Sequence, residues 1–201
     1  MMDNIAWHFT NATLRDGAPI PAIGETLIYK GRIKLCESGY HWSLKPHQAL
    51  MYAPGNLLHM VRYGGEVLID ENKGVSSERT ILATIDAEHL LRRFAADQAL
   101  SVAHLWEMPD VVREYLTTLD ESKRIAAWEA AWEAARAAAA RAAARVAAYA
   151  AYAAAAAAVA WAAAREAARA AARAAAGDAV WDVTRAEFDR RVYAAFGVKE
   201  A

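Results

Sequence analysis

The stretch with the most chemistry per residue is Cys36-Glu37-Ser38-Gly39-Tyr40-His41-Trp42-Ser43. A strand, a glycine turn and an aromatic–His–Trp–Ser run leading into a helix would place His41 and Ser43 near a helix N-terminus. That position suits an anion or a nucleotide phosphate. Tyr40 and Trp42 are the ring types on which a base stacks, and Arg62 would add a cation nearby. The blander reading makes His41 a hydrogen-bonding residue of the framework and Ser43 only a cap. Cys36, His41 and His47 are spaced too loosely for a typical metal site. Cys36 has no visible base or orienting partner that would make it a nucleophile. There is no phosphate loop, Rossmann glycine pattern or paired-cysteine zinc signature. No catalytic residue, metal ligand or cofactor is therefore assigned.

The elements that must position this cluster read as β-rich. Ile5–Phe9 reads as a strand. Thr26–Tyr29 and Ile33–Cys36 read as a hairpin around Lys30-Gly31-Arg32. Residues 43–52 read as a short helix capped by Ser43, with Pro46 in its first turn. Leu57–Tyr63 and Glu66–Asp70 are expected to pair across Gly64-Gly65, and Arg79–Ile85 forms a further strand. Helical periodicity begins after Asp86 and runs to about Trp106. Pro109 opens a second helix with Val111, Val112, Tyr115 and Leu116 on its buried side.

From Glu121 to Ala176 there is no Gly or Pro and alanine dominates. Alanine has the highest helix propensity, so the expectation is one long rod capped by Gly177. On a helical projection Ile125, Trp128, Trp132, Val146 and Trp161 form a narrow apolar stripe. An exposed stripe of this kind predicts pairing of rods between chains, a homo-oligomer of coiled-coil type. The arginines Arg141, Arg145, Arg165, Arg169 and Arg173 could instead track phosphates, but their commoner role is to solubilise an alanine surface. A last helix is expected over 184–196, opened by a Thr184/Glu187 capping box. The fold class is thus α+β: a head over 1–119, an alanine-rich helix over 120–177 and a C-terminal helix over 178–201.

The chain carries 23 Lys+Arg against 24 Asp+Glu, a balance that argues against a dedicated nucleic-acid binder. Its single cysteine excludes an intrachain disulfide and fits a reducing compartment. The N-terminus lacks the basic start and apolar core of a signal peptide. The uncharged run 146–164 is mostly alanine, too weakly apolar to be expected to span a membrane.

Several segments together resemble a family of uncharacterised phage and prophage proteins with an α+β head and an alanine-rich helical tail. They are Trp7-His8-Phe9-Thr10, Leu14-Arg15-Asp16-Gly17, Pro21-Ala22-Ile23-Gly24-Glu25, Cys36 to His41, Ala49 to Gly55, Arg79 to Asp86, His104-Leu105-Trp106 and Val111 to Leu116. The resemblance implies an accessory role in the cytoplasm of a bacterial host and supplies no activity. The leading expectation is a non-enzymatic binding protein, oligomerised through its helix. Its head would sequester a nucleotide-type host immune signal or a host protein through Tyr40, His41, Trp42, Ser43 and Arg62. A second expectation comes from the Gly-Tyr-His run followed by Glu66, which is similar to the His-bearing strand of ADP-ribosyltransferases. It implies an NAD-using enzyme with His41 and Glu66. The third is a DNA-associated protein using the arginines of the helix.

Overall fold

A computed structural model describes residues 4–137, 142–156, 160–174 and 178–199. It is α+β and divides into two compact units, one of residues 1–87 with 188–201 and the other of residues 88–187. The division differs from the head and tail expected at residue 119, because the helices just after residue 87 pack with the alanine-rich helices.

The first unit is built on a five-stranded antiparallel sheet: β1 (Ile5–Thr10), β2 (Thr26–Ile28), β3 (Tyr40–Trp42), β4 (Leu57–Ile69) and β5 (Gly74–Asp86). The order is β1-β4-β5-β2, with β3 also pairing to β5. Alternation along the strands sorts the side chains into two faces. In the β1–β4 register Ala6, His8 and Thr10 lie opposite Val61, His59 and Leu57, so these share one face. Trp7 and Phe9 point the other way, where Tyr193 and Phe196 of the C-terminal helix pack on Trp7. A short helix, α1 (Pro46–Leu50), also packs against β1. The main-chain N–H of His47 donates to Asp189 Oδ1 at 2.7 Å, and the His47 ring meets Oδ2 at 2.7 Å, tying α1 to the C-terminal helix.

Three local expectations are corrected here. Gly64-Gly65 is not a hairpin turn; β4 runs through it and the chain reverses at residues 70–73. Gly65 has φ +70° and its missing Cβ would lie 2.1 Å from Ser77 Oγ, so the glycine builds a bulge in a long strand. Ile33–Cys36 does not pair with Thr26–Tyr29. β2 pairs with β5, and residues 34–38 form a tight turn with Cys36 exposed at φ +66°. Ser43 does not cap α1; its main chain exchanges two hydrogen bonds with Trp7, and the helix begins three residues later.

The second unit is helical: α2 (Glu88–Ser101), α3 (Asp110–Thr118), α4 (Arg124–Ala137), α5 (Ala142–Ala156) and α6 (Ala160–Ala174). The last helix, α7 (Asp178–Phe196), starts in this unit and ends in the first. Thr184 is interior to it and its hydroxyl meets Gln98, so the expected capping box is absent. The single rod is absent too. The described residues between 121 and 176 contain three α-helices in place of one, with α4 packed on α5 and α5 on α6. Gly177, the expected cap, lies outside the described residues.

Folding back wins over extension because alanine faces let helix axes approach closely and bury both partners. Ala127, Ala131 and Ala135 recur every four residues on α4 and are buried, as are Ala148, Ala151 and Ala155 on α5. Leu91, Phe94, Leu116 and Tyr115 supply the large side chains of this unit. Arg93 closes α3 by donating to the carbonyls of Leu116 at 2.6 Å and Thr117 at 3.0 Å, satisfying acceptors a helix end leaves open.

Candidate functional site

The polar residues of the sheet face shared by β1, β4 and β5 lie where a sandwich or barrel would carry only apolar side chains. His59 is fully buried. Its Nε2 meets Thr10 Oγ1 at 2.8 Å and its Nδ1 meets Thr84 Oγ1 at 2.8 Å. With a hydroxyl on each ring nitrogen, the imidazole is satisfied without a charge. Burial, and secondarily the charge of Arg79, lower its pKa to about 4. His8 stacks near it, ring centroids 6.4 Å apart. Burial again comes first in holding His8 well below its ordinary value, followed by Arg79, His59 and His41.

Arg79 is the charge these histidines sense. It sits on β5 opposite Tyr63, in register with Val61 and Ile81 on the inward face, and is 5% exposed. One guanidinium nitrogen donates to the His41 carbonyl at 2.9 Å, and the group lies over the Tyr40 ring at 5.2 Å. Its Nε has no protein acceptor. No carboxylate pairs with it among the described residues, and burial lowers its pKa to about 10. An unpaired buried cation is among the costlier arrangements a fold can hold. A carbonyl and an aromatic face offset part of that cost, and an anionic ligand would offset the rest.

The structure brings together only some of the residues expected from sequence. Tyr40 is half-buried, its ring against Arg79 and, edge-on, Tyr29. His41 accepts the Cys36 main-chain N–H at Nε2, 2.8 Å away. Burial, then Arg79, lower its pKa. Trp42 is buried and stacks on Tyr63 with centroids 3.9 Å apart, while its Nε1 donates to Ser76 Oγ. Its ring is filled from within the fold, over the floor that Gly74 leaves open: a Cβ there would lie 2.3 Å from the indole. Trp42 is therefore a core residue of the cluster Ala6, Val61 and Ile81 rather than a stacking platform. Ser43 is buried in its backbone bridge to Trp7. Arg62 is exposed and alternates to the face opposite Tyr63 and Arg79. Glu66 is exposed on β4.

Sequence reasoning missed Arg79, His8, His59, Thr10 and Thr84. The available signal was period-two alternation: Arg79 and Ile81, His59 and Val61, and Ala6, His8 and Thr10 each share a strand face with core residues.

In the helical unit, the aromatic stripe expected to join two chains is partly spent within one. Trp128 and Trp132 pack on Tyr152, and Trp132 also meets Tyr149. Trp132 remains 37% exposed, Tyr149 39% and Ile125 54%. Val146 is half-buried, and the Trp161 side chain lies outside the described residues. Arg165 and Arg169 both pair with Glu166, and the side chains of Arg141, Arg145 and Arg173 lie outside the description. No group of three or more His, Cys, Asp and Glu side chains suited to a metal occurs among the described residues, and no described helix is long and apolar enough to cross a membrane.

Residues 4–93 match the family model of a domain of unknown function, DUF7666. The match covers β1 to β5 and the first turn of α2, and so contains every residue of the Arg79 site. No curated protein and no solved structure matches the chain.

Proposed function

We propose that this is a non-enzymatic binding protein whose sheet unit captures a small ligand through an anionic group, phosphate-bearing and of nucleotide type. The observation that carries the reading is Arg79, 5% exposed, with no carboxylate partner and a free Nε. His8, His41 and His59 are neutral at pH 7, because burial, and after it Arg79, depress their pKa values. Neutral imidazoles and hydroxyls beside one buried guanidinium suit a bound anion and do not compete with it as carboxylates would. The resemblance of the head segments to phage and prophage proteins supports a role inside a bacterial host, where sequestering a nucleotide-type immune signal needs affinity and no turnover.

Self-association of the helical unit is the second half of the proposal. Ile125, Trp132 and Tyr149 keep enough exposed apolar surface to support it. Sedimentation equilibrium giving a monomer mass at all concentrations would remove that half alone. No observation favours the transferase reading: His41 Nε2 is engaged by the Cys36 main-chain N–H and Glu66 stands exposed.

Titration calorimetry with inorganic phosphate, adenosine monophosphate, cyclic dinucleotides and adenosine tests the main reading. Phosphate-bearing ligands should bind and adenosine should not. Arg79→Gln should weaken binding at least about tenfold, the scale of a single charge-assisted hydrogen bond. Binding that ignores Arg79→Gln, or that is equal for adenosine, would defeat it.

A further inference from the structure

We propose that the Tyr40 ring is a gate over Arg79, which an oxyanion displaces to reach the guanidinium. The inference rests on the reading of Arg79 given above and adds the way in: the anion takes the place of an aromatic face, and the ring selects ligands by their charge.

The guanidinium is enclosed. One terminal nitrogen donates to the His41 carbonyl at 2.9 Å, the Tyr40 ring covers the group at 5.2 Å, and Nε is buried without an acceptor. An anion bonds Nε only after a neighbour moves. The His41 carbonyl belongs to the main chain of β3, which is paired to β5 at Tyr40–Ser76, His41–Val75 and Trp42–Gly74. Gly39 pins the entry to that strand, because a Cβ there would lie 2.7 Å from the Val75 side chain. Tyr63, opposite Arg79 on β4, is stacked on Trp42, whose indole is bonded in turn to Ser76. The main chain beside the guanidinium and the stack across from it are therefore fixed.

The Tyr40 side chain is the loosely held neighbour. It is half-buried, and no hydrogen bond to its hydroxyl occurs among the described residues. Two ring contacts keep it in place: one with Arg79, and one edge-on with Tyr29, centroids 6.3 Å apart at 84°. Tyr29 is folded over Gly31, where a Cβ would lie 2.9 Å from its ring, and so forms a fixed side to the opening. Rotation of the Tyr40 side chain uncovers the guanidinium without breaking a ladder hydrogen bond. A cation–π contact is weaker than a charge-assisted hydrogen bond, so an entering oxyanion exchanges a weak partner of Arg79 for a strong one. A neutral ligand would lose the ring contact and gain no ion pair, and the gate stays shut against it.

Calorimetry of the full chain with sulfate at pH 7 tests the gate. Tyr40→Ala should tighten sulfate affinity by about three- to tenfold, the weight of one cation–π contact. Tyr40→Phe, with the ring restored, should return to the affinity of the parent. Adding Arg79→Gln to Tyr40→Ala should abolish the gain. NMR of the unmutated protein reads the same event without a variant. On saturation with sulfate the nuclear Overhauser contact between the Tyr40 and Tyr29 rings should vanish, while that between Trp42 and Tyr63 persists. Sulfate affinity unchanged or weaker in Tyr40→Ala, or a Tyr40–Tyr29 contact that survives saturation, would overturn the gate while leaving the Arg79 reading standing. Absence of sulfate binding in both the parent and Tyr40→Ala, or a gain that survives Arg79→Gln, would overturn both.

Discussion

The sheet unit and the helical unit solve the problem of an interior in opposite ways. The sheet unit buries large and polar side chains, with Trp42 stacked on Tyr63 and His59 hydrogen-bonded between two threonines. It also buries Arg79 without a counter-ion. The helical unit is built mostly from alanine meeting alanine, and its ion pairs, such as Arg169 with Glu166, lie toward the surface. A fold that needs only stability has no use for an unpaired buried guanidinium. Among the described residues, the uncompensated buried charge lies in the sheet unit.

The sharpest way to break this comparison is to change side-chain size in each unit. Leu58→Ala empties a fully buried position of the sheet unit and should cost about 2–5 kcal/mol in urea unfolding. A drop under about 1 kcal/mol would mean the sheet interior is looser than its packing indicates. The pH response comes next. His59, lowered to about 4, binds a proton more readily in the unfolded chain, where its pKa is near the ordinary value. Its contribution is therefore complete above about pH 6.5 and fades as pH falls from there toward 4, by about 3 kcal/mol in all. His8 and His41 shift in the same direction and add to it. Urea titrations across that range should show the decline, and a stability unchanged between pH 7 and 5 would contradict the neutral buried histidines. The helical unit should respond to the reverse manipulation. Ala131→Leu adds bulk where α4 is completely covered and should cost about 1–3 kcal/mol, because an alanine interface has no room to yield. A neutral outcome would show that α4 and α5 stand further apart than their close packing implies.

How much of this was legible in the sequence differs between the units for the same reason. Strand existence was readable from β1, β4 and β5, whose apolar residues mark them, and Pro109 announced the helix start that the structure places beside it. The turns were harder. Gly64-Gly65 carries a hairpin signature, yet only Gly65 takes a positive φ, and what it makes room for is Ser77 across the ladder, a partner no local reading can see. No Gly or Pro separates α4, α5 and α6, so propensity alone favours one rod; the decision to fold back is made by packing between distant segments. Within the site, Tyr40 and His41 were visible because aromatic and histidine residues crowd together in sequence. Arg79 was not, since an arginine in a strand reads as solvent-facing until the alternation with Ile81 is followed through.

The central claim is that Arg79 is kept buried and unpaired for a ligand, and one pair of unfolding curves tests it most directly. Urea denaturation of the unmutated protein and of Arg79→Met at pH 6.5, each with and without sulfate, separates the alternatives. The account predicts a ligand-free Arg79→Met as stable as the parent or more so, by up to about 4 kcal/mol, and indifferent to sulfate, while the parent gains stability as sulfate is added. An Arg79→Met protein destabilised by about 3–5 kcal/mol without ligand, together with a parent that ignores sulfate, would make Arg79 a structural residue and remove the site.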